Sequence, residues 1–209
     1  MPAPLLIRGG LVANPASATA TPLDLLIEHG HIARIAAPGS IPCATVFDAT
    51  DRLILPGLVN AHTHGHANLA KGVADRWTLE ASLTNGAWLA GARDPEAIYV
   101  STLLGAIDML QRGCTACYDL VHEFPLPTTA GFAAVAQAYA DAGIRAALAP
   151  LVADRSLFHA IPGLLEALPP DLRAELAPLG TAPREATIAA LEAIAAAKAS
   201  LPPGITLAI

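Results

Sequence analysis

Charge and aromatic rings are scarce in this chain. Of its 209 residues only 14% are charged and 4% aromatic, while 54% are hydrophobic. That balance excludes a disordered polypeptide, which would carry too little apolar surface to bury. The twelve basic residues are scattered and the net charge is −6, so no basic footprint for nucleic acid exists and a small molecule is the expected partner. No run of eighteen apolar residues occurs, and the N-terminus lacks the basic region and long apolar core of a secretory leader. Neither a membrane span nor export is expected. Three cysteines, an odd number, give no disulfide framework, and a reducing cytoplasm is the expected compartment. Internal repeats and glycine-rich phosphate loops are also lacking.

What is present divides at about residue 55. Residues 5–13, 23–36 and 48–55 read as short β-segments, with a tight turn at His29-Gly30 where glycine supplies positive φ. They predict a small antiparallel unit over 1–55. From Pro56 to the end, 56–209, strand and helix alternate. Asp94 as N-cap, Pro95 at the first position and Gly113 beyond the end bracket a helix with Ile98, Leu103, Ile107 and Leu110 as its apolar stripe. A strand at 114–119, a helix at 129–142 stopped by Gly143 and a strand at 144–152 follow. Then come an irregular proline-rich region at 162–183, an alanine-rich helix at 184–200 packing through Ile188, Leu191, Ile194 and Ala195, and a last strand at 205–209. The alternation predicts an α/β fold with a parallel sheet, either open and doubly wound or closed as a (β/α)8 barrel. About four strands are countable, half of a barrel whose closure takes on the order of 250 residues. Because the chain stops within an apolar strand, it is expected to be a piece of a longer protein.

The chemistry concentrates in Pro56-Gly-Leu-Val-Asn-Ala-His-Thr-His64, a turn, an apolar strand and two histidines one residue apart. Side chains at i and i+2 on a strand share a face, roughly 7 Å apart along the chain, as two ligands of one metal ion would be. So apolar a strand reads as buried on both faces of a parallel sheet, with the histidines at its C-terminal mouth. A solvated surface pair is the alternative, and it suits this strand poorly. Cys114-Thr-Ala-Cys117 has C-x-x-C spacing, but on a strand those side chains face opposite sides, and small buried hydrophobes are expected.

The run Asp48-Ala-Thr-Asp-Arg-Leu-Ile-Leu-Pro-Gly-Leu-Val-Asn-Ala-His-Thr-His64 resembles the first-strand signature of the amidohydrolase superfamily, in the branch of cytosine, guanine and adenosine-type deaminases and triazine hydrolases. Leu26–Ile35 resembles the hairpin of the small β-sandwich that precedes the barrel in that family, Gly105–Asp119 the passage from first helix to second strand, and Gly143–Pro150 the start of the third strand. The resemblance implies a partial (β/α)8 barrel preceded by a β-sandwich portion. It also implies one divalent cation, Zn2+ or alternatively Fe2+, on His62 and His64, completed by a histidine and an aspartate from later strands. The implied reaction is deamination of a cyclic amidine by metal-activated water, with a glutamate on a later strand carrying the proton. Hydrolysis of a cyclic amide and removal of ring chloride are rivals within the family. So is a chain that is inactive by itself, since the later ligands and the catalytic glutamate are expected beyond Ile209. Some members bridge two ions through a carboxylated lysine, but Lys71 and Lys198 are the only lysines and neither falls on an expected strand, so one ion is implied. A heterocyclic substrate is the implied partner, with a homo-oligomer left open for the full-length protein.

The loop after the first strand, His66 to Ser82, lines the substrate pocket in that branch. His66 reads as a third ligand of an H-x-H-x-H array, as a substrate contact, or as an exposed loop residue. Asn68 is a substrate contact on the same ground. Glu80 matches by spacing a glutamate that holds substrate in nucleoside-type deaminases, or else it opens a helix. Trp77 and Trp88 roof the pocket or pack the first helix. Asp119, at the end of the second strand, is read as a mouth residue that meets substrate or bonds a metal-binding histidine, or caps a loop. His122 follows as a further loop candidate, whereas His29, His31 and His159 read as surface residues.

Overall fold

The computed structural model describes residues 3–90, 93–153, 155–176 and 182–209, with no side-chain description for 87–90 and 157. The chain divides into two compact units, Met1–Gly57 and Leu58–Ile209.

In the first unit, strands β1 (Leu5–Asn14), β2 (Thr19–Glu28), β3 (His31–Ala36) and β4 (Thr45–Asp48) form a sheet in the order β3-β2-β1-β4, and β5 (Leu53–Ile54) also pairs with β1. The β2–β3 hairpin turns at His29 and Gly30, both at positive φ, 53° and 77°, the geometry that matches the twist of the flanking strands. The unit is mixed rather than antiparallel, because β4 and β5 lie parallel to β1. The stretch 48–55 is correspondingly no single strand: a turn with Asp51 at φ 60° breaks it. One long-range feature organises this sheet. Asp24 is fully buried and its two oxygens accept from the amides of Gly9 and Gly39, each at 2.8 Å.

The second unit is an α/β fold. Strands β6 (Leu58–Thr63), β7 (Cys114–His122), β8 (Arg145–Leu151) and β9 (Ile205–Leu207) form a parallel sheet in chain order. After β6 come a 3₁₀ turn at Gly65–Ala70 and helix α1 (Leu79–Ala90), then α2 (Pro95–Gln111); α3 (Thr129–Ala142) links β7 to β8. After the short helix α4 (Leu157–Ala160), two more, α5 (Leu164–Ala167) and α6 (Pro170–Leu176), occupy part of the region read as irregular, and α7 (Arg184–Ala196) continues into a 3₁₀ turn at Ala197–Ser200. Local signals hold at the helix ends. Asp94 accepts from Ala97 N at 2.8 Å, Thr128 accepts from Gly131 N at 3.0 Å, and Gly143 ends α3 at φ 77°.

The core lies between helices and sheet, where Ile98, Ala106 and Met109 of α2, Phe132, Val135 and Tyr139 of α3 and Ile194 of α7 meet Cys117, Val121, Ala146, Leu148 and Ile205. Three sequence expectations change here. Strand β6, read as buried on both faces, leaves Leu58 56% and Val59 67% exposed, because it is an edge paired only with β7. Helix α2 turns Ser101, Thr102, Gly105 and Ala106 inward and leaves Ile107 43% exposed, since small residues admit close approach of the turn after β6. In α7 only Ile194 of the expected stripe is buried.

The β6–β7 register slips twice. Leu58 and Val59 pair with Cys114 and Ala116, and Asn60 and Thr63 pair with Cys117 and Asp119. Each slip is one extra residue, first on β7 and then on β6. The first overturns the alternation argument for the cysteines: Cys114 and Cys117 pack against the same core cluster. Burial pushes the Cys117 thiol up to about 12.

Candidate metal centre

His62 and His64 flank Thr63 at the end of β6, and their rings stand edge to face with centroids 5.0 Å apart. Two imidazoles sharing a tetrahedral ion at ordinary zinc–nitrogen distances have centroids about 5 Å apart, so the pair has suitable spacing. His64 is oriented by β7. Its Nδ1 lies 3.1 Å from the Leu120 carbonyl oxygen, and because a carbonyl only accepts, Nδ1 carries the proton and Nε2 keeps its lone pair for a cation. His62 is exposed, and its backbone amide donates to Asn60 Oδ1 at 3.2 Å.

Immediately beyond, Gly65 is held from several sides. Its amide donates to both oxygens of Asp119, at 3.2 and 3.1 Å, and its carbonyl accepts from Ser101 Oγ and Asn68 Nδ2, each at 2.9 Å. A Cβ on Gly65 would lie 2.6 Å from Asp119 Oδ2, 3.0 Å from Tyr139 Oη and 3.1 Å from Thr102 Cγ2. No side chain fits there.

Asp119 is fully buried and also accepts from Tyr139 Oη at 2.6 Å. Burial raises its carboxyl pKa, against the hydrogen bonds of Tyr139 and the Gly65 amide, which lower it. The Tyr139 phenol, also fully buried, is pushed far up by burial and by the Asp119 carboxylate, so it stays a donor.

His66 continues the row of rings, 5.5 Å from His64 and 5.3 Å from His122. Burial, together with the neighbouring His122, His64 and Arg93, pushes its pKa down to about 3; burial also lowers His122. His66 Nδ1 is buried without a hydrogen-bond partner, while the His66 carbonyl accepts from Arg93. Among the described residues no group of three His, Cys, Asp or Glu side chains is placed to hold an ion, so the H-x-H-x-H ligand array is not formed.

The other sequence candidates take different places. Asn68 folds back against Gly105 of α2 and bonds Gly65 O, making it part of the turn's framework. Glu80 is exposed in the first turn of α1, its carboxyl pKa lowered by its own amide and by Thr78, which is the helix-opening role. Trp77 is 40% exposed in the preceding turn, and the Trp88 side chain lies outside the described residues. Asp119 touches Gly65 and Tyr139 rather than the mouth. Lys71 ends the 3₁₀ turn and pairs with Asp108 at 3.7 Å, and Lys198 lies in the final 3₁₀ turn, so neither is on a strand.

Sequence reasoning missed Gly65, Ser101, Tyr139 and the Leu120 carbonyl. A glycine directly after the second histidine was a usable signal for the first; a backbone carbonyl leaves none.

Residues 53–204 match the amidohydrolase family. Over 147 residues the chain is 35% identical to a 5-methylthioadenosine/S-adenosylhomocysteine deaminase of Haloarcula marismortui, covering 69% of this chain and 32% of that protein. Among solved structures it is similar to guanine deaminase from C. acetobutylicum with bound guanine, at TM-score 0.72 and 14% identity over 98% of this chain and 45% of that one. It is also similar to an atrazine chlorohydrolase from Arthrobacter aurescens TC1 complexed with zinc, at TM-score 0.69 and 22% identity over 98% and 46%. The chain thus spans about a third of the curated relative's length and under half of the solved structures'. No helix among the described residues is long and apolar enough to cross a membrane. With the family match running through the strand that bears His62 and His64, and through the next two strands of its sheet, β7 and β8, the chain belongs to the amidohydrolase family.

Proposed function

We propose that this chain contributes the first four strands of a (β/α)8 barrel, and two metal-ligating histidines, to a hydrolase that deaminates a cyclic amidine of purine, pyrimidine or triazine type. The reading rests on one observation above the rest: His64 is held with Nε2 bare beside His62 at a spacing suited to one ion. Neutral imidazole nitrogens suit Zn2+, with Fe2+ as the alternative. When bound, such a cation supplies the Lewis acidity that makes water nucleophilic near neutral pH.

His62 and His64 hold the cation, and Leu120 O keeps the His64 proton on Nδ1, away from it. His66 and His122 extend the imidazole row from the pair. Their lowered pKa values keep both neutral, so they present hydrogen-bonding edges rather than positive charge to a heterocycle. The named activity of the curated relative, on adenosine-type compounds, favours a purine nucleoside as substrate class.

The test is ammonia release from adenosine-type nucleosides, guanine, cytosine and aminotriazines by the full-length protein carrying this chain. Activity on at least one, abolished in His62→Ala, is expected, and the 209-residue chain alone should bind Zn2+ weakly and release none. Chloride release from chlorotriazines without any ammonia would move the reading to dechlorination.

A further inference from the structure

We propose that Asp119 and Tyr139 are positioning residues for His64: they fix the end of β6 so that the His64 Nδ1–H stays on the Leu120 carbonyl and Nε2 stays free for a cation. This deepens the metal reading and rests on it. Consecutive residues of β7 hold consecutive residues beyond β6, the Leu120 carbonyl taking the His64 ring and the Asp119 side chain taking the Gly65 amide. The Asp119 side chain does not face solvent. Among the described residues its oxygens bond only the main chain next to His64 and the Tyr139 hydroxyl, which bridges to α3. A buried carboxylate costs several kcal/mol of desolvation, which an apolar pair of the same volume would avoid. That cost identifies geometry, rather than packing, as what the pair contributes. From the other side Ser101 and Asn68 hold the Gly65 carbonyl, so both polar atoms of the residue after His64 are fixed. With the backbone of Gly65 pinned on both sides, the His64 ring before it is kept with Nδ1 on the Leu120 carbonyl and in a single tautomer.

The full 209-residue chain, labelled with 15N at histidine and free of metal, is read by long-range 1H–15N correlation of the imidazole rings. His64 should be a single Nδ1–H tautomer. In Asp119→Asn, whose amide sets a donor against the Gly65 N–H, and to a lesser degree in Tyr139→Phe, the ring should become a mixture of tautomers. Zn2+ titrated onto the ring signals should then show Kd raised by about 10- to 100-fold in Asp119→Asn, as for other groups that orient a ligand. Tyr99→Phe, which removes an exposed hydroxyl bonded to Asp141, should change neither reading. If Asp119→Asn does not fold, Tyr139→Phe decides alone, since it removes only one oxygen. A folded Tyr139→Phe with His64 still a pure Nδ1–H tautomer, and Zn2+ Kd within twofold of the parent, would overturn the proposal. Zn2+ that leaves both His62 and His64 signals unmoved in the parent would sink the metal reading, and the tautomer comparison would still decide the positioning role.

Discussion

Replacing Gly65 by alanine adds one carbon where the fold has no room for it. The new atom would sit 2.6 Å from Asp119 Oδ2, 3.0 Å from Tyr139 Oη and 3.1 Å from Thr102 Cγ2, and all three of those residues are fully buried. Gly65 is not at positive φ, so the penalty is one of space alone. Overpacking of this kind costs about 1–3 kcal/mol. Relief requires Asp119 to move off the Gly65 amide, and a hydrogen bond to a charged group is worth about 1.5–3 kcal/mol. Since the two losses overlap, a total of about 3 kcal/mol is expected, a large share of the roughly 5–15 kcal/mol that holds a domain folded. The control is the same substitution at Gly86, inside α1, where an added Cβ meets nothing within 4 Å. There alanine should stabilise by up to about 1 kcal/mol through helix propensity. Urea unfolding followed by tryptophan fluorescence reads both, since Trp77 and Trp88 lie in the second unit. A Gly65→Ala loss below about 0.5 kcal/mol, within the range of an ordinary surface change, would refute the claim that this glycine is fixed by close approach.

Asp94→Ala removes the acceptor for Ala97 N and should destabilise α2 by about 1 kcal/mol, visible as faster amide exchange in its first turn. Asp24→Asn sets an amide donor against Gly9 or Gly39 and should cost about 1–3 kcal/mol; unchanged protection of those two amides would count against a role for Asp24 in fixing the first sheet. Cys117, with its pKa pushed up to about 12, has about a thousandth of the thiolate of an ordinary cysteine at pH 8, so iodoacetamide should spare it until the chain is unfolded. The same raised pKa gives a sign to the pH dependence: the stability it contributes is complete below the unfolded value near 9 and declines as pH rises toward 12. A urea midpoint that does not fall over that window would contradict it.

The two histidines, the α2 cap, the glycine that stops α3 and the hairpin at His29-Gly30 were readable from the amino-acid order. In each the cause lies within a few residues, in strand alternation, an orphan amide or a positive φ. Ile107 of the α2 stripe and most of the α7 stripe were misread, whereas Ile98 and Leu110 of α2 do meet the core, because hydrophobicity alone does not say which face is covered. Ser101, Thr102 and Gly105 turn inward because the turn after β6 lies against them, and Ile107 is left outside. The C-x-x-C argument failed for a related reason, since strict alternation holds only until a bulge inserts a residue.

The sequence by itself determined that two imidazoles one residue apart stand together at the end of one strand. The tertiary structure alone decided how His64 presents itself. Its ring bonds the carbonyl of residue 120, and the amide of the next residue, Gly65, is held by residue 119, contacts between segments more than fifty residues apart. Such contacts are set by the packing of β6 on β7 and of α2 and α3 against them, and nothing in the local order of residues specifies which distant carbonyl or carboxylate will arrive.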